Sequence, residues 1–409
     1  MQSARISMLP TRWRAFAMRN RLTTELKGGL KMDLRQYLKD LEYLVNIDSG
    51  SQDGFEGLGR IADFFKERFD ALGWQTEKHD LSPDAGPCLI CTNRKAEKYD
   101  LLMIGHIDTV FPLGTASERP FRYDDVYAYG PGAADMKDSS LLMYYIIKEL
   151  PPEVNEKLNI VVVYNPDEEI GSLYSRHVYK DYAERSRYAY VYEGASADGA
   201  SCAERKGGIV YNVRFTGVAG HCGYVFTNGA KSAVHEMGRW IVALSDMQDE
   251  KIGTSVNVGI ARGGIAKNIV APDAMIEVDI RIKDNSEPAR FDSVIARLTE
   301  EARSRGIGIE VERRFKPALV YTDEVRAYVE HVCEITQAAN IPFHHAPRGG
   351  LSDANILASY GCICLDGLGV AAGGGSHSPA EKSQYKTAEH FKNLSLFLMQ
   401  DLAENKNKE

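Results

Sequence analysis

His106 and Asp108 close the apolar run LLMIGHID, Asp135 sits in YGPGAADMK, Glu168 and Glu169 follow VVVYNP, Glu193 follows YAYVY, and His377 sits in GGGSHS. Imidazole nitrogen and carboxylate oxygen are the donors that suit zinc and similar divalent ions. Asp108 lies two residues beyond His106, so on a strand the two point the same way. Asp108 can then take the second ring N–H of the histidine and set its tautomer. A carboxylate at Asp135 can bridge two ions, although an Asp in a glycine turn with no metal role has the same local sequence. Glu168 and Glu169 are neighbouring carboxylates at the end of a buried strand, where they repel each other unless cations compensate. One can serve as ligand and the other as general base; Asp167 is expected to face solvent. Together, two histidines and three ligand carboxylates, with a spare Glu and an orienting Asp, meet the needs of a two-metal hydrolytic site. Three carboxylates against two divalent ions leave one net positive charge, suited to polarising a carbonyl and acidifying a water.

These residues need a scaffold that brings distant segments together. Apolar residues recur at helical spacing over 34–47 and 61–72. Short apolar strands are expected over 100–107, 159–164 and 188–192, with a helix over 139–150. Strands alternating with helices indicate an α/β core with a mostly parallel sheet flanked by helices. In such sheets ligands bind beyond the carboxyl ends of the strands, and His106, Glu168, Glu169 and Glu193 all fall at such ends. The middle of the chain reads β-α-β-β-α-β: strands over 208–217, 255–261, 275–282 and 307–312, helices over 230–244 and 292–303. This is an α+β insertion. The α/β pattern then resumes with a helix over 325–339, a strand over 363–366 and a helix over 388–402. The expected organisation is a discontinuous catalytic domain, 32–206 and 317–409, with an inserted domain over 207–316. Residues 1–31 are Arg-rich and lack the apolar core of a secretory signal; they are read as a disordered extension or a misplaced start.

Composition bounds the function. A chain of 409 residues exceeds one ordinary core, and 44% apolar with 26% charged residues is usual for a globular protein. A net charge of −8 argues against a nucleic-acid binder. No apolar stretch is long enough to span a bilayer. Seven cysteines without a regular framework read as buried reduced thiols, which favours the cytoplasm.

The motifs GHIDTVFPLG, YGPGAADMK, NPDEEIGS, YEG, TGVAGHCG and SHSPAE resemble those of the M20 family of zinc metallopeptidases, nearest its glutamate carboxypeptidase-like members. The resemblance runs over nearly the whole chain from Met32. It implies two Zn2+, with Co2+ or Mn2+ as substitutes: His106 and Glu193 on one ion, Glu169 and His377 on the other, Asp135 between them. Glu168 would be the general base and Asp108 would orient His106. The insertion would be a lid and dimerisation domain, and the protein a homodimer. His221, in GVAGHCG, would reach the partner's site and stabilise the oxyanion. Arg281 in EVDIR, Asn268 in KNIVAP, Gly350 in the GGLSD loop and Arg348 would bind the substrate. Arg281 could instead simply pair with Asp279, and Arg348 could be a surface charge. The family often carries glycines where Asp138, Ser139 and Ser140 follow Lys137, which leaves the local helix start open.

The implied reaction is hydrolysis of an amide next to a free carboxylate, on small peptides or N-acyl amino acids. An N-acyl-amino-acid deacylase, a dipeptidase or a desuccinylase would use the same site, and a non-catalytic amino-acid-binding homologue would share the cleft. A serine hydrolase lacks its GxSxG elbow here.

Overall fold

The computed structural model describes residues 31–406, so the extension read at 1–31 lies, apart from Lys31, outside the described residues. The chain forms two compact units. Unit 1 comprises the chain up to Cys202, Thr322–Ala346 and the residues from Tyr360 onward; unit 2 comprises Ala203–Tyr321 and Pro347–Ser359.

Unit 1 opens with helices α1 (Leu34–Val45) and α2 (Phe55–Ala71). Asp33 caps α1, its carboxylate accepting from the N–H groups of Arg35 and Gln36, which meets two of the donors a helix start leaves unpaired. Strands β1 (Gln75–His79), β2 (Cys88–Thr92) and β3 (Tyr99–His106) follow, then helix α3 (Asp138–Lys148), strand β4 (Ile160–Asn165), helix α4 (Arg176–Ala183) and strand β5 (Ser186–Val191). In unit 2 come β6 (Gly207–Thr216), α5 (Ala233–Ser245), β7 (Ser255–Gly263), β8 (Asp273–Ile282), α6 (Glu287–Ser304) and β9 (Gly308–Lys316). The chain returns through α7 (Asp323–Ala339) in unit 1, α8 (Asp353–Ser359) in unit 2, and β10 (Ile363–Leu365) and α9 (Ala388–Asn405) in unit 1.

The sheet of unit 1 runs β1-β2-β4-β3-β5-β10. From β4 to β10 all pairs are parallel. At the other edge β1 pairs antiparallel with β2, and β2 antiparallel with β4, an edge that the α/β pattern alone does not announce. Every residue of β4 is buried, as expected of a strand with both faces covered; α3 packs on β3, and α4 on β3 and β5. The stack of Phe65 on Tyr164, ring centroids 4.0 Å apart, joins α2 to β4. Register places His106 opposite Asn165 and Ile104 opposite Val191, so β3 and β4 end level and β5 ends two residues short of them. The chain leaves β3 to one side for β4 and returns on the other for β5. That reversal is where open α/β sheets place their ligands.

Unit 2 is a four-stranded antiparallel sheet, β7-β8-β6-β9. In β6, Ile209, Tyr211, Val213 and Phe215 are buried, and in β8 so are Ile276, Val278, Ile280 and Ile282. They form one core with Trp240 and Leu244 of α5 and Phe291 and Leu298 of α6. The intervening residues, Asp279 and Arg281 among them, occupy the other face. The segment Pro347–Ser359, read from sequence as part of the catalytic domain, packs within unit 2. There Asn355 Nδ2 donates to the carbonyls of Lys206 and Pro317.

Candidate functional site

His106 is the last residue of β3 and is buried. Its Nδ1 lies 3.2 Å from Asp108 Oδ1 and 3.1 Å from the Asp108 carbonyl oxygen, which leaves Nε2 facing outward from the strand end. Asp108 does more than orient one ring. Its Oδ1 also accepts from the Glu168 N–H at 3.2 Å, and its Oδ2 accepts from the Glu169 N–H at 3.0 Å and the Ser51 hydroxyl at 2.8 Å. One buried carboxylate therefore fixes the histidine and the backbone of both glutamates.

Asp135 stands in the turn Ala133–Lys137, entered through Gly132 at φ 77. A Cβ on Gly132 would come within 2.6 Å of Thr109 Cγ2, so the turn needs glycine on steric grounds as well as for its left-handed backbone. Asp135 Oδ1 lies 3.1 Å from His106 Nε2, and Oδ2 lies 3.2 Å from His377 Nε2. Thus each oxygen faces a different histidine. His377 Nε2 also lies 3.2 Å from Glu169 Oε2, and His106 Nε2 lies 3.9 Å from Glu193 Oε1. His377 itself has φ 61, just after Gly374 and Gly375 with φ 97 and 79. A left-handed histidine is uncommon, and it aims the ring at the carboxylates.

The structure thus brings together all seven residues read from the strand ends and turns. Two sets have donor atoms within 4.8 Å of one another: His106, Asp135 and Glu169, and His106, Glu168 and Glu193. Donors about 2.1 Å from a tetrahedral zinc stand roughly 3.4 Å apart, and the separations above bracket that spacing. Among the described residues Glu169 Oε1, which is buried, has no hydrogen-bond partner, and a cation would satisfy it. These features fit a divalent metal.

The electrostatics agree. Burial pushes the Glu193 carboxyl well up and also raises that of Glu169. Burial acts in the same sense on Asp135, but the hydrogen bonds from His106 and His377 outweigh it and hold this carboxyl low. Burial works to lower His106, yet its bonds to Asp108 and Asp135 raise it well above the ordinary value. The hydrogen bonds with Asp135 and Glu169 raise His377 to about 10. Without a metal, protons on two histidines supply the positive charge that the carboxylates require; a bound cation replaces those protons.

Several supporting groups escape a reading for ligands alone. Glu381 is buried, and its Oε1 accepts from the N–H groups of Ala134 and Asp135 at 2.9 and 3.1 Å. Its signal was its place in SHSPAE. Burial pushes this carboxyl up to about 7. Asp167 is a correction: it does not face solvent but is fully buried, its Oδ2 accepting from the Tyr174 N–H at 2.7 Å. It shapes the turn after Glu169. Helix α3 starts at Asp138 even though the polar run Asp138–Ser140 follows Lys137. All three side chains are buried and used. Asp138 accepts from the hydroxyls of Tyr37 and Ser383, Ser139 Oγ accepts from the Val370 N–H, and Ser140 Oγ donates to the His106 carbonyl.

The remaining residues singled out from sequence belong to unit 2. His221 is exposed and pairs through its backbone with Ile269, next to the exposed Asn268. Its Nδ1 accepts from the Gly223 N–H at 3.1 Å, an arrangement that puts the proton of a neutral ring on Nε2. Arg281 pairs with Asp279 through two hydrogen bonds, Nε to Oδ1 at 2.7 Å and Nη2 to Oδ2 at 2.9 Å. Arg348 is half-buried, and its N–H donates to the Glu204 carbonyl at 2.9 Å. The Gly350 carbonyl accepts from Arg205 Nη1 at 3.1 Å.

Comparison with known proteins follows the same line. The profile of peptidase family M20/M25/M40 matches residues 102–399. Carboxypeptidase G2 of a Pseudomonas species is 28% identical over 356 residues, 85% of this chain and 84% of its own. Acetylornithine deacetylase of Myxococcus xanthus is 26% identical over 282 residues, 64% and 70% of the respective chains. Among solved structures, aminopeptidase PepT from Bacillus cereus aligns with a TM-score of 0.70 at 22% identity, covering 90% of this chain and 98% of that one; at that identity it supports the fold alone.

Proposed function

Because this chain belongs to peptidase family M20/M25/M40 and is a metal-dependent peptidase or amidohydrolase, we propose that it is a dinuclear zinc carboxypeptidase, glutamate carboxypeptidase-like. Its reaction is hydrolysis of an amide bond adjacent to a free carboxylate, in a small peptide or N-acyl amino acid. The observation that carries the two-ion reading is Asp135, whose two oxygens face histidines from different parts of the chain. In this reading His106 and Glu193 hold one ion, His377 and Glu169 the other, and Asp135 both. Co2+ or Mn2+ would substitute for zinc.

Bound ions supply Lewis-acid polarisation of the scissile carbonyl and lower the pKa of a water. The rest falls to the chain. Glu168 has its backbone pinned by Asp108; its carboxylate takes a proton from the attacking water as the oxygen bonds to carbon. It returns that proton to the nitrogen as the C–N bond breaks, leaving an amine and a carboxylic acid, which gives its own proton to solvent. His221 donates from Nε2 to the developing oxyanion, contributed by the other subunit of a homodimer. Arg281, Asn268, Arg348 and the backbone at Gly350 recognise the free carboxylate of the substrate, where a guanidinium gives strong bidentate pairing. Arg281 must then exchange or share its contact with Asp279.

Similarity to carboxypeptidase G2 supports the carboxypeptidase reading over a deacylase or dipeptidase. The cytoplasm is the proposed compartment, since none of the seven cysteines, all among the described residues, is in a disulfide and five are buried. No helix among the described residues is long and apolar enough to cross a membrane. The test is a panel of N-acyl glutamates, dipeptides and N-acetyl amino acids, assayed with metal analysis. Preferential release of a C-terminal amino acid from N-acyl glutamates is expected. Turnover confined to N-acetyl amino acids or dipeptides would replace this reading with a sister activity, and metal binding without turnover of any member would indicate a binding protein.

A further inference from the structure

We infer that Glu381 is a positioning residue that sets the distance between the Asp135 turn and the His377 loop, and so tunes the affinity of the metal held between them. The inference rests on the metal-hydrolase reading above. Its ground is connectivity. Asp135 and His377 come from segments more than two hundred residues apart, yet their side chains must meet a common ion to within a few tenths of an ångström. His377 lies in a loop whose base is closed by hydrogen bonds between Gly373 and Lys382 and between Lys382 and Gly374. Ser378 and Glu381 continue the chain of contacts, the Ser378 N–H donating to Gly375 O and the Glu381 N–H to Ser378 O. From the end of this loop the Glu381 side chain crosses to the other segment, and its Oε1 accepts from both Ala134 N–H and Asp135 N–H. One carboxylate oxygen thereby ties the backbone of one ligand to the loop of the other.

The choice of residue is informative. Glu381 is itself buried, and its carboxylate stands beside that of Asp135, so the pair sets two like charges close together. A serine or asparagine would cap the two N–H groups without that repulsion. A carboxylate makes sense where a cation offsets the charge, and it holds N–H donors more strongly than a neutral acceptor.

The experiment uses the full chain with Co2+ as probe, following its visible absorption during titration, alongside thermal melting. Glu381→Ala is expected to weaken binding of the ion roughly tenfold to hundredfold, the range for residues that orient metal ligands, and to change the Co2+ spectrum. Glu381→Gln, which keeps an acceptor oxygen at the same reach, should recover most of the affinity. Glu381→Asp, which keeps the charge but withdraws the oxygen, should not. The Asp and Gln pair carries the test if the Ala variant fails to fold. Variants that melt lower but bind Co2+ with wild-type affinity and spectrum would reduce Glu381 to a structural cap and overturn the inference. A wild-type chain that takes up no Co2+ would overturn the proposed function, and the positioning role with it.

Discussion

In unit 1, His106, Asp108 and Glu169 expose 1%, 0% and 6% of their side chains, while in unit 2 Arg281 and Asp279 expose 33% and 41%. Both units present charged residues at the ends or faces of sheets, but with different economies of solvation. On the open face of unit 2 a pair of opposite charges is balanced by itself and by water, and such pairs contribute little stability. At the sheet end of unit 1, the five carboxylates of Asp108, Asp135, Glu168, Glu169 and Glu193 crowd two histidines. The arrangement is costly unless positive charge is present. Buried, mutually repelling acids therefore identify the place where a cation belongs, and exposed self-satisfied groups identify nothing until a ligand is considered. The chemistry of unit 1 can be argued from its own geometry, whereas the roles given to His221, Asn268 and Arg281 rest on what a substrate would need.

The largest effect is expected at Glu168. Glu168→Gln should lower kcat by roughly a hundredfold to ten-thousandfold, the range for removing a general base, with metal content unchanged. Loss of metal or of the fold instead would mean that Glu168 is a ligand, and the division of labour between the two glutamates would fall. Next comes His221. His221→Ala should reduce kcat by roughly a hundredfold to a thousandfold as an oxyanion donor, and Co2+ titration should be indifferent to it. A variant with wild-type turnover would return His221 to the status of a turn residue. Arg281→Ala should act mainly on KM, raising it about tenfold to a hundredfold for the loss of a charged hydrogen bond. A change in kcat alone, or none in either, would leave Arg281 as the partner of Asp279.

The smallest effect is a shift in stability with pH, confined to unit 1. His377 is held at about 10 against an ordinary 6.5, and Glu169 and Glu193 are also raised. Groups that bind protons more tightly when folded stabilise the metal-free protein fully below their unfolded pKa and lose that contribution as the pH rises through the folded one. Asp135, held low, acts in the opposite sense and loses its contribution only in strong acid. The melting temperature of the metal-free protein should therefore decline between about pH 6.5 and 10. Metal-loaded protein should show a flatter profile, because the ion has already displaced the protons. Parallel profiles for the two forms would deny the exchange of protons for metal.

Sequence and structure meet most closely where pattern is strongest. The apolar runs that end at His106, Asn165 and Tyr192 read as buried strands, and their carboxyl ends gather at one edge of the sheet once they pair in parallel. The β-α-β-β-α-β middle was equally legible, because β6 and β8 alternate over ten residues each. The edge strand β1 was not: QTEKH is largely exposed and has no apolar alternation to announce it. Nor could pattern show that Pro347–Ser359 packs within unit 2, since a Gly-rich loop followed by a short helix carries no address. Within the site, ligand types and strand-end positions could be read directly. The supports could not, because Ser51 acts through the Asp108 carboxylate, and Asp167 and Glu381 through backbone N–H groups, that only folding brings near. Asp167 shows the cost of that limit: beside Glu168 and Glu169 its charge suggests solvent, yet it is buried and accepts from the Tyr174 N–H of the turn that follows them.

The central claim is that the carboxylates of unit 1 exist to hold metal that the reaction requires. It is tested most directly by measuring metal content and hydrolysis of an N-acyl glutamate on the same sample, before chelation, after chelation and after reloading with Zn2+ or Co2+. The account predicts two ions per chain, loss of activity as they are withdrawn, and recovery in step with their return. Full activity in protein stripped of metal would contradict it.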